Sequence, residues 1–515
     1  MYALAIITAI CLASVLVSYV AFRRGFTHSA DDYFVAGSSL GYFVLISSLL
    51  ASFVSAFAMF GMAGLGYRTG FGALFVLTVN LVPLGFLWYF IHRKTFLLGK
   101  ARKWRSMGAP FGDRYGDGMR VMIPLVVLVA SIPYLVAQIQ GIGVMIEVMT
   151  ENMVSYRAGL FFVPVFIALY LIMGGMKGVA WVNTAQGLFF TFMVFVLFYA
   201  VMSKNGGFVP TMDLVYQKHP ELFQLGAGQG RVWTYPMLFG FASAMCLGAV
   251  CFPQPYMHAY SSRTVKGFKA MVVAFGAICV VVISMTTMIG IGARSLALAQ
   301  DPALSDVVSP IDADKVYGLA ASATLPYWVA ALAVAGGFTA AMTTVNGMVF
   351  GHATNIANDL YRLVRPEASA RELVRFGRLC IAGILAVCVA IAWNPNTPVA
   401  ELAVIAFGIS AVTIFPLWGA YFWKRATRHG AIAATAVGVG MNIMFLGLGG
   451  NAMVLFPQAF LFNLNGFLAS FLVAGVVFFG VSLATRLGAT EQRSLAFFFH
   501  PSLDPGPHCK PEQSR

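Results

Sequence analysis

"GFASAMCLGAVCFPQPYMHAY", residues 240–260, is a run of small and apolar residues with two prolines set into it. Pro253 and Pro255 flank Gln254, and Gly248 lies about one turn earlier. Each proline removes a backbone N–H and clashes with the carbonyl one turn before it, so a helix must break or bend there and leave carbonyls free. In hydrocarbon, such backbone is tolerated only where it is buried in protein or lines a cavity. A second interrupted stretch, "SSLLASFVSAFAMFGMAGLGYRTG" at 47–70, carries Ser47, Ser48, Ser52 and Ser55 in a run of small residues. Interruptions at matching places in two halves of a chain point to a binding site built from broken helices.

The surrounding composition supports a membrane setting. The 515 residues are 59% hydrophobic and 10% charged, against about 25% charged in soluble domains. Apolar runs recur at thirteen places, near 3–22, 40–65, 72–92, 120–147, 158–174, 179–201, 233–257, 268–292, 326–358, 376–394, 399–423, 430–447 and 464–485, and each is long enough to cross a bilayer as a helix. In the first of them Arg23 and Arg24 follow the apolar run, whereas a signal peptide has its positive charge in front. It reads as an uncleaved span with the N-terminus outside.

The net charge of +14 needs no nucleic-acid partner, because the basic residues alternate with the spans. Of 33 Lys and Arg, only Arg68, Arg157, Lys204, Lys218, Arg231, Arg294 and Lys315 fall on the side assigned as outer. The remainder lie in the segments assigned as cytoplasmic, which is the positive-inside pattern. The expected location is a plasma membrane, a bacterial inner membrane, with a cytoplasmic C-terminus. Six of the seven cysteines lie in apolar segments without metal-like or CxxC spacing, and read as small buried hydrophobes.

The expected fold is an all-α polytopic membrane protein of thirteen transmembrane helices around a core of two inverted five-helix repeats. The divisions are a first span and loop (1–39), a first repeat (40–201), an outer loop (202–232), a second repeat (233–430), two peripheral spans (431–486) and a Pro-rich tail (487–515) expected to be disordered.

No Lys, Arg, Asp or Glu stands in the middle of a span, which disfavours proton pumping and voltage sensing. The ninth span instead groups hydroxyls in "GGFTAAMTTVNGMVFGHATNIANDLYR", 336–362. Ala340, Thr343 and Thr344 stand at i, i+3 and i+4, on one helix face. Two neutral hydroxyls and a free carbonyl can replace the water of a small hard cation. Alternatively, such threonines bond their own i−4 carbonyls or pack against a neighbour.

Five motifs in order resolve the choice: "DDYFVAGSSLGYFVLISSLLASFVSA", "MGGMKGVAWVNTAQG", "PQPYMHAYSSRT", "AAMTTVNGMVFGHATNIANDLYR" and "FPLWGAYFWKRATRHGA". Over roughly residues 31 to 430 the chain resembles the sodium/solute symporter family, which includes proline, sugar, pantothenate and monocarboxylate symporters. The resemblance implies a leucine-transporter-like fold and a transporter rather than an enzyme. It implies Na⁺ as the co-transported ion, no organic cofactor, and a small-molecule solute carried across the lipid bilayer by a protein read as a functional monomer. By the same resemblance the sodium site takes carbonyls at Ala51, Val54 and Ala340 and hydroxyls at Thr343 and Thr344.

The departures from the family pattern are informative. Phe57 and Ala58 replace polar residues of sugar symporters, Phe53 replaces an aspartate of proline symporters, and Trp181-Val182-Asn183 replaces the common WTD. His258 stands where many members have arginine, at the inner end of its span, and reads as an interface residue within reach of water. The expected pocket wall is Phe53, Ser55, Phe57, Gln138, Gln140, Gln254, Tyr256, Ser410 and Thr413. Gln138 and Gln140, two apart on a helix, cannot share a face. A small, aromatic and sparsely polar pocket suits a short monocarboxylate such as acetate, pyruvate or lactate. An amino acid or another small metabolite is the alternative substrate, and a transporter-like membrane sensor, a proton-coupled permease or a channel are the rival functions. With neutral Asn183 in place of a carboxylate, one sodium per substrate is expected.

Overall fold

The computed structural model describes residues 2–23, 29–224, 235–298, 302–307, 309–395, 397–449 and 466–500. The end of the expected outer loop and most of the expected tail, with Cys509, lie outside the described residues. All regular elements within them are helical. Those that build the bundle are α1 (Tyr2–Arg23), α2 (Tyr42–Phe53), α3 (Met62–Thr69), α4 (Phe71–Arg102), α5 (Asp117–Met149), α6 (Tyr156–Ser203), α7 (Tyr235–Val250), α8 (Pro253–Ser261), α9 (Val265–Leu298), α10 (Tyr327–Asn355), α11 (Ala370–Ile391), α12 (Val399–Ala411), α13 (Ile414–Phe422), α14 (Arg428–Gly449) and α15 (Gly466–Ala484).

Ten helices among the described residues are long and apolar enough to cross a membrane, or eleven if the bent pair α2 and α3 is one span. The expected number is thirteen, and the difference has physical sources. The expected spans 158–174 and 179–201 form one 48-residue element, α6. Straight, it would be roughly 72 Å long, well beyond the roughly 45 Å of a whole bilayer. It turns instead at Gly175, where φ is 54° and ψ −155°, a conformation open to glycine alone at little cost. A Cβ there would lie 2.7 Å from the carbonyl oxygen of Tyr33. The expected span 72–92 falls in α4, some of whose side chains lie outside the described set.

Around the middle of the bundle, helices approach to backbone contact. A Cβ on Gly66 of α3 would sit 2.3 Å from the Thr287 oxygen of α9, and one on Gly290 of α9 would sit 1.9 Å from the Ala63 oxygen of α3. Small residues permit this approach, which stands in for the hydrophobic drive that lipid does not supply. α10 is the buried axis. Every residue from Ala333 to Asn355 is buried, and α10 packs against α1, α2, α5, α6, α8 and α11. α14 and α15 pack on each other at the side.

Candidate functional site

Both interrupted stretches are broken helices. α2 ends at Phe53, and Val54 is extended (φ −73°, ψ 113°). The chain re-enters through a π-helical turn, Phe57–Gly61, with a bend of 63° between the two halves. α7 ends at Val250, and Phe252 is extended (φ −73°, ψ 163°) before Pro253 opens α8. Gly248 makes room for the second break, since its Cβ would lie 2.1 Å from the Phe407 oxygen of α12. Each break leaves carbonyls and N–H groups without helical partners, and both breaks are buried.

The first break meets α10 at the threonines. The Thr343 hydroxyl shares its proton between the carbonyl oxygens of Ala51 (2.7 Å) and Ala340 (2.8 Å). The Thr344 hydroxyl donates to the Val54 carbonyl at 3.3 Å. Five neutral oxygens, from Ala51, Val54, Ala340, Thr343 and Thr344, thus converge from the break of α2 and one face of α10. Both hydroxyls are fully buried. A hard cation of calcium's size takes oxygens at roughly 2.3–2.6 Å, which puts neighbouring ligands roughly 3.3–3.7 Å apart. The Thr344–Val54 pair already has that spacing, and the Thr343 contacts need to open by well under the width of an atom.

Asn183 of α6 stands beside this set. Its amide nitrogen donates to Ser52 Oγ (2.9 Å) and points at the Thr343 carbonyl (3.5 Å), while its oxygen accepts from Asn346 Nδ2 (2.9 Å). Tyr170 donates in turn to Asn346 Oδ1. The side chain presents N–H, not oxygen, toward the threonines, with the amide orientation assigned from its partners.

The expected pocket residues divide. Ser55, Gln254, Ser410 and Thr413 surround the breaks. Gln254 Oε1 has no hydrogen-bond partner among the described residues, although the residue is only 1% exposed, and Ser410 Oγ likewise has none. Thr413 donates to the Ser410 carbonyl at 2.8 Å. Phe57 lies over Phe241 of α7, with ring centroids 6.5 Å apart. Tyr256 is buried edge-on against His92. Gln138 is already engaged: its Oε1 accepts the Ala56 N–H at 2.7 Å and so caps the start of the helical turn that follows the break. Gln140 donates to the Thr397 carbonyl, far along the chain at the entry to α12. Phe53 packs edge-on against Trp88 of α4 and Phe275 of α9.

The expectation that water reaches His258 is corrected. It is 1% exposed, with Nδ1 2.9 Å from the Gln254 carbonyl and Nε2 3.2 Å from Ser48 Oγ. A carbonyl only accepts, so Nδ1 carries the proton and Nε2 accepts from Ser48. The imidazole ties α8 to α2, one broken helix to the other.

Three aromatic residues escape the sequence reading. Tyr134 of α5, Phe252 at the second break and Phe407 of α12 form a mutual cluster with centroids 4.8–5.8 Å apart. The Tyr134 carbonyl accepts from Gln138 Nε2 at 3.1 Å, and Gln138 in turn accepts the Ala56 N–H at the first break, so this part of α5 touches both breaks. Phe252 beside the PQP signal was the one available clue.

A helical membrane protein with two broken helices, and a ring of neutral oxygens where one of them meets a buried axial helix, has the architecture of a leucine-transporter-like secondary transporter. The chain belongs to the sodium:solute symporter family, whose family model matches residues 33–438. It is a sodium-coupled symporter of a small-molecule solute, and members of this family are transporters, not enzymes. It is similar to the sodium/pantothenate symporter of Escherichia coli (strain K12), 26% identical over 443 residues, covering 84% of this chain and 89% of that protein. The sodium/proline symporter of the same organism is 25% identical over 436 residues, covering 82% and 84%. The high-affinity proline transporter PutP of Bacillus subtilis (strain 168) is 25% identical over 456 residues, covering 84% and 90%. In fold the chain resembles a solved Na⁺-coupled sialic acid symporter in a substrate-bound outward-open state, with a TM-score of 0.75 at 16% identity over 95% of this chain and 98% of that one.

Proposed function

We propose that this symporter binds one Na⁺ among the oxygens of Ala51, Val54, Ala340, Thr343 and Thr344 and uses its gradient to import a small organic carboxylate. A short monocarboxylate is the preferred substrate. The observation that carries the reading is the pair of polar atoms without a partner among the described residues, Gln254 Oε1 and Ser410 Oγ, buried around the second break; the hydroxyl can donate to a carboxylate, and so can the amide once it is turned to present its NH₂. Leaving such groups unpaired costs roughly 1–3 kcal/mol each, a cost removed when a ligand supplies the partner. Pro253 and Pro255 leave Gln254 as the one residue in the first three positions of α8 with an N–H to give. A single backbone donor, one amide and one hydroxyl match one carboxylate better than a polyhydroxylated sugar. The apolar remainder, Phe57, Tyr134, Phe252 and Phe407, suits a short aliphatic or keto group.

An amino acid is the second reading. The relatives named for proline and pantothenate both carry solutes with a carboxylate, and an ammonium group would satisfy Gln254 Oε1. In either case the two broken helices rock against α5, α6, α10 and α12, and the ion links α2 to α10 only when both halves of its oxygen ring are present. The Lys/Arg-rich end faces the cytoplasm. Sodium-driven uptake into proteoliposomes, competed by a panel of short carboxylates, amino acids and sugars, tests the proposal. Competition by sugars alone would overturn it.

A further inference from the structure

At the Lys/Arg-rich end, away from the breaks, a cavity of about 490 Å³ is lined by Arg102, Lys103, Arg105, Arg120, Arg362 and Asn358, among others. We propose that it is a binding site for a polyol phosphate: a phosphate monoanion or diester carrying free hydroxyls, such as a phosphoglycerol group.

Charge is the first argument. Three carboxylates reach the five cations. Asp31 pairs with Arg105, Asp359 with Arg120 at 3.1 Å, and Asp113, in the wall itself, accepts from Trp104 Nε1 at 2.9 Å. Two positive charges are left over. Lys103 and Arg362 are exposed and form no ion pair among the described residues. The positive-inside rule asks only that basic residues stay on one side of the membrane. It does not ask them to converge on one concavity.

The second argument is how the cations are held. Lys103 sits at φ 52°, ψ 46°, a left-handed conformation uncommon for a residue with a side chain. It ends α4 and turns the segment 103–108 into the cavity wall. The carboxylates of Asp31 and Asp359 fix Arg105 and Arg120 from behind, which leaves the remaining guanidinium N–H groups free to form the forked contacts that phosphate oxygens favour.

The third argument concerns the hydroxyls. Asn358 is buried and lines the cavity. Its amide nitrogen donates to the Thr354 carbonyl at 2.9 Å, and its Oδ1 has no partner. An acceptor set among cations calls for a donor that an unsubstituted phosphate diester lacks and a polyol supplies.

Occupancy would act on transport. Ser106, in the cavity wall, donates to Asp359 Oδ1 at 2.6 Å, Gly108 N–H donates to Oδ2 at 3.1 Å, and Met107 N–H donates to Asn355 Oδ1 at 3.0 Å. These bonds clamp the segment 103–108 to the end of α10, the helix that carries Thr343 and Thr344. A ligand bridging Lys103 and Arg362 draws the two sides of that clamp together and favours the clamped arrangement.

The test uses the full-length protein in phosphatidylcholine nanodiscs and reads thermal stability and binding by native mass spectrometry. Phosphatidylglycerol and free glycerol 3-phosphate are the probes, and phosphatidylmethanol, a phosphate diester with no hydroxyl donor, is the control. The expected result is saturable binding of phosphoglycerol, weakened about tenfold or more in the Lys103→Gln/Arg362→Gln double variant, the worth of one or two charge-assisted hydrogen bonds. Asn358→Leu is expected to erase the preference for phosphatidylglycerol over phosphatidylmethanol. Binding of the lipid but not the free ester assigns the site to a headgroup, and binding of both assigns it to a soluble ester as well. Monodisperse elution of each variant shows that it is folded. Undiminished phosphatidylglycerol binding in the double variant, or no binding of either probe to the parent protein, would overturn the proposal.

Discussion

Replacing Asn183 by aspartate puts a carboxylate into the polar row that runs from Ser52 to Tyr170 past the threonines. The new side chain can still accept from Asn346 Nδ2, and can accept from Ser52 if that hydroxyl turns from the Ser48 carbonyl it now donates to at 2.7 Å, but it loses the donation toward the Thr343 carbonyl. Its charge would lie on the order of 7 Å from an ion held among the five oxygens, an attraction of about 2 kcal/mol at an effective dielectric near 20. That is roughly a 30-fold gain in sodium affinity. Uptake into proteoliposomes at pH 8, followed against sodium concentration, is expected to show a half-saturating sodium concentration lower by that order in Asn183→Asp. The parent protein, whose Asn183 offers a second cation no negative charge and no free oxygen, is expected to couple one sodium to each substrate. With a monoanionic substrate that cycle is electroneutral. The reasoning fails if the parent protein carries two sodium ions per substrate by reversal-potential measurement, or if the aspartate variant keeps the parent's sodium dependence.

Thr343→Ala and Thr344→Ala each remove one oxygen from the ring and are expected to weaken apparent sodium affinity about 10- to 100-fold, an estimate from one to two hydrogen-bond equivalents. Serine at either position should restore most of it, and wild-type sodium dependence in the double alanine variant would remove these residues from the site. His258→Ala should lower thermal stability in detergent by about 1–3 kcal/mol by unpairing Ser48 and the Gln254 carbonyl, with His258→Gln losing less; an unchanged melting temperature for the alanine variant would contradict the tie between α8 and α2. Asp314 stands in a short turn, 312–315, outside the membrane-crossing helices. Burial pushes its carboxyl up to about 7, against the opposing pull of the Val399 N–H and Arg68. Because the folded value lies above that of the unfolded chain, the folded state holds a proton that the unfolded state has released. Its contribution to stability is therefore full below about pH 4 and is lost as pH rises through 7. Asp314→Asn should flatten the fall in melting temperature over that window, and parallel curves for the two proteins would refute the assignment.

Features that depend on the covalent chain or on helix periodicity were legible in the sequence. Prolines flanking Gln254 announced the second break, and the i, i+3, i+4 spacing put Ala340, Thr343 and Thr344 on one face. The pairing of those threonines with Ala51 and Val54 came from family resemblance, not from spacing, because the contact spans almost 300 residues. Gln138 shows the limit from the other side. As a polar residue in an apolar helix it marks a site, but whether its amide meets a ligand or the Ala56 N–H depends on how α5 is rotated against the break. Phe53 shows the same limit, since its position at a break does not say which neighbours its ring meets, here Trp88 and Phe275. Tyr134 and Phe407 carry no local signal at all. They look like ordinary apolar positions until packing brings them to Phe252.

The left-handed turn at Gly175 has a consequence for movement. Two membrane crossings are usually joined by several residues of slack, which lets each tilt without disturbing the other. In α6 they share one glycine, flanked by helix on both sides and closed in by Tyr33. A joint that short passes rotation from one arm to the other like a crank. The second arm carries Asn183, against α10, and the first carries Tyr170, so the pair that brackets Asn346 is mounted on opposite sides of the same joint. When either crossing tilts, the polar row beside the threonines must stretch or shear, and the state of the oxygen ring is felt at both ends of the lever.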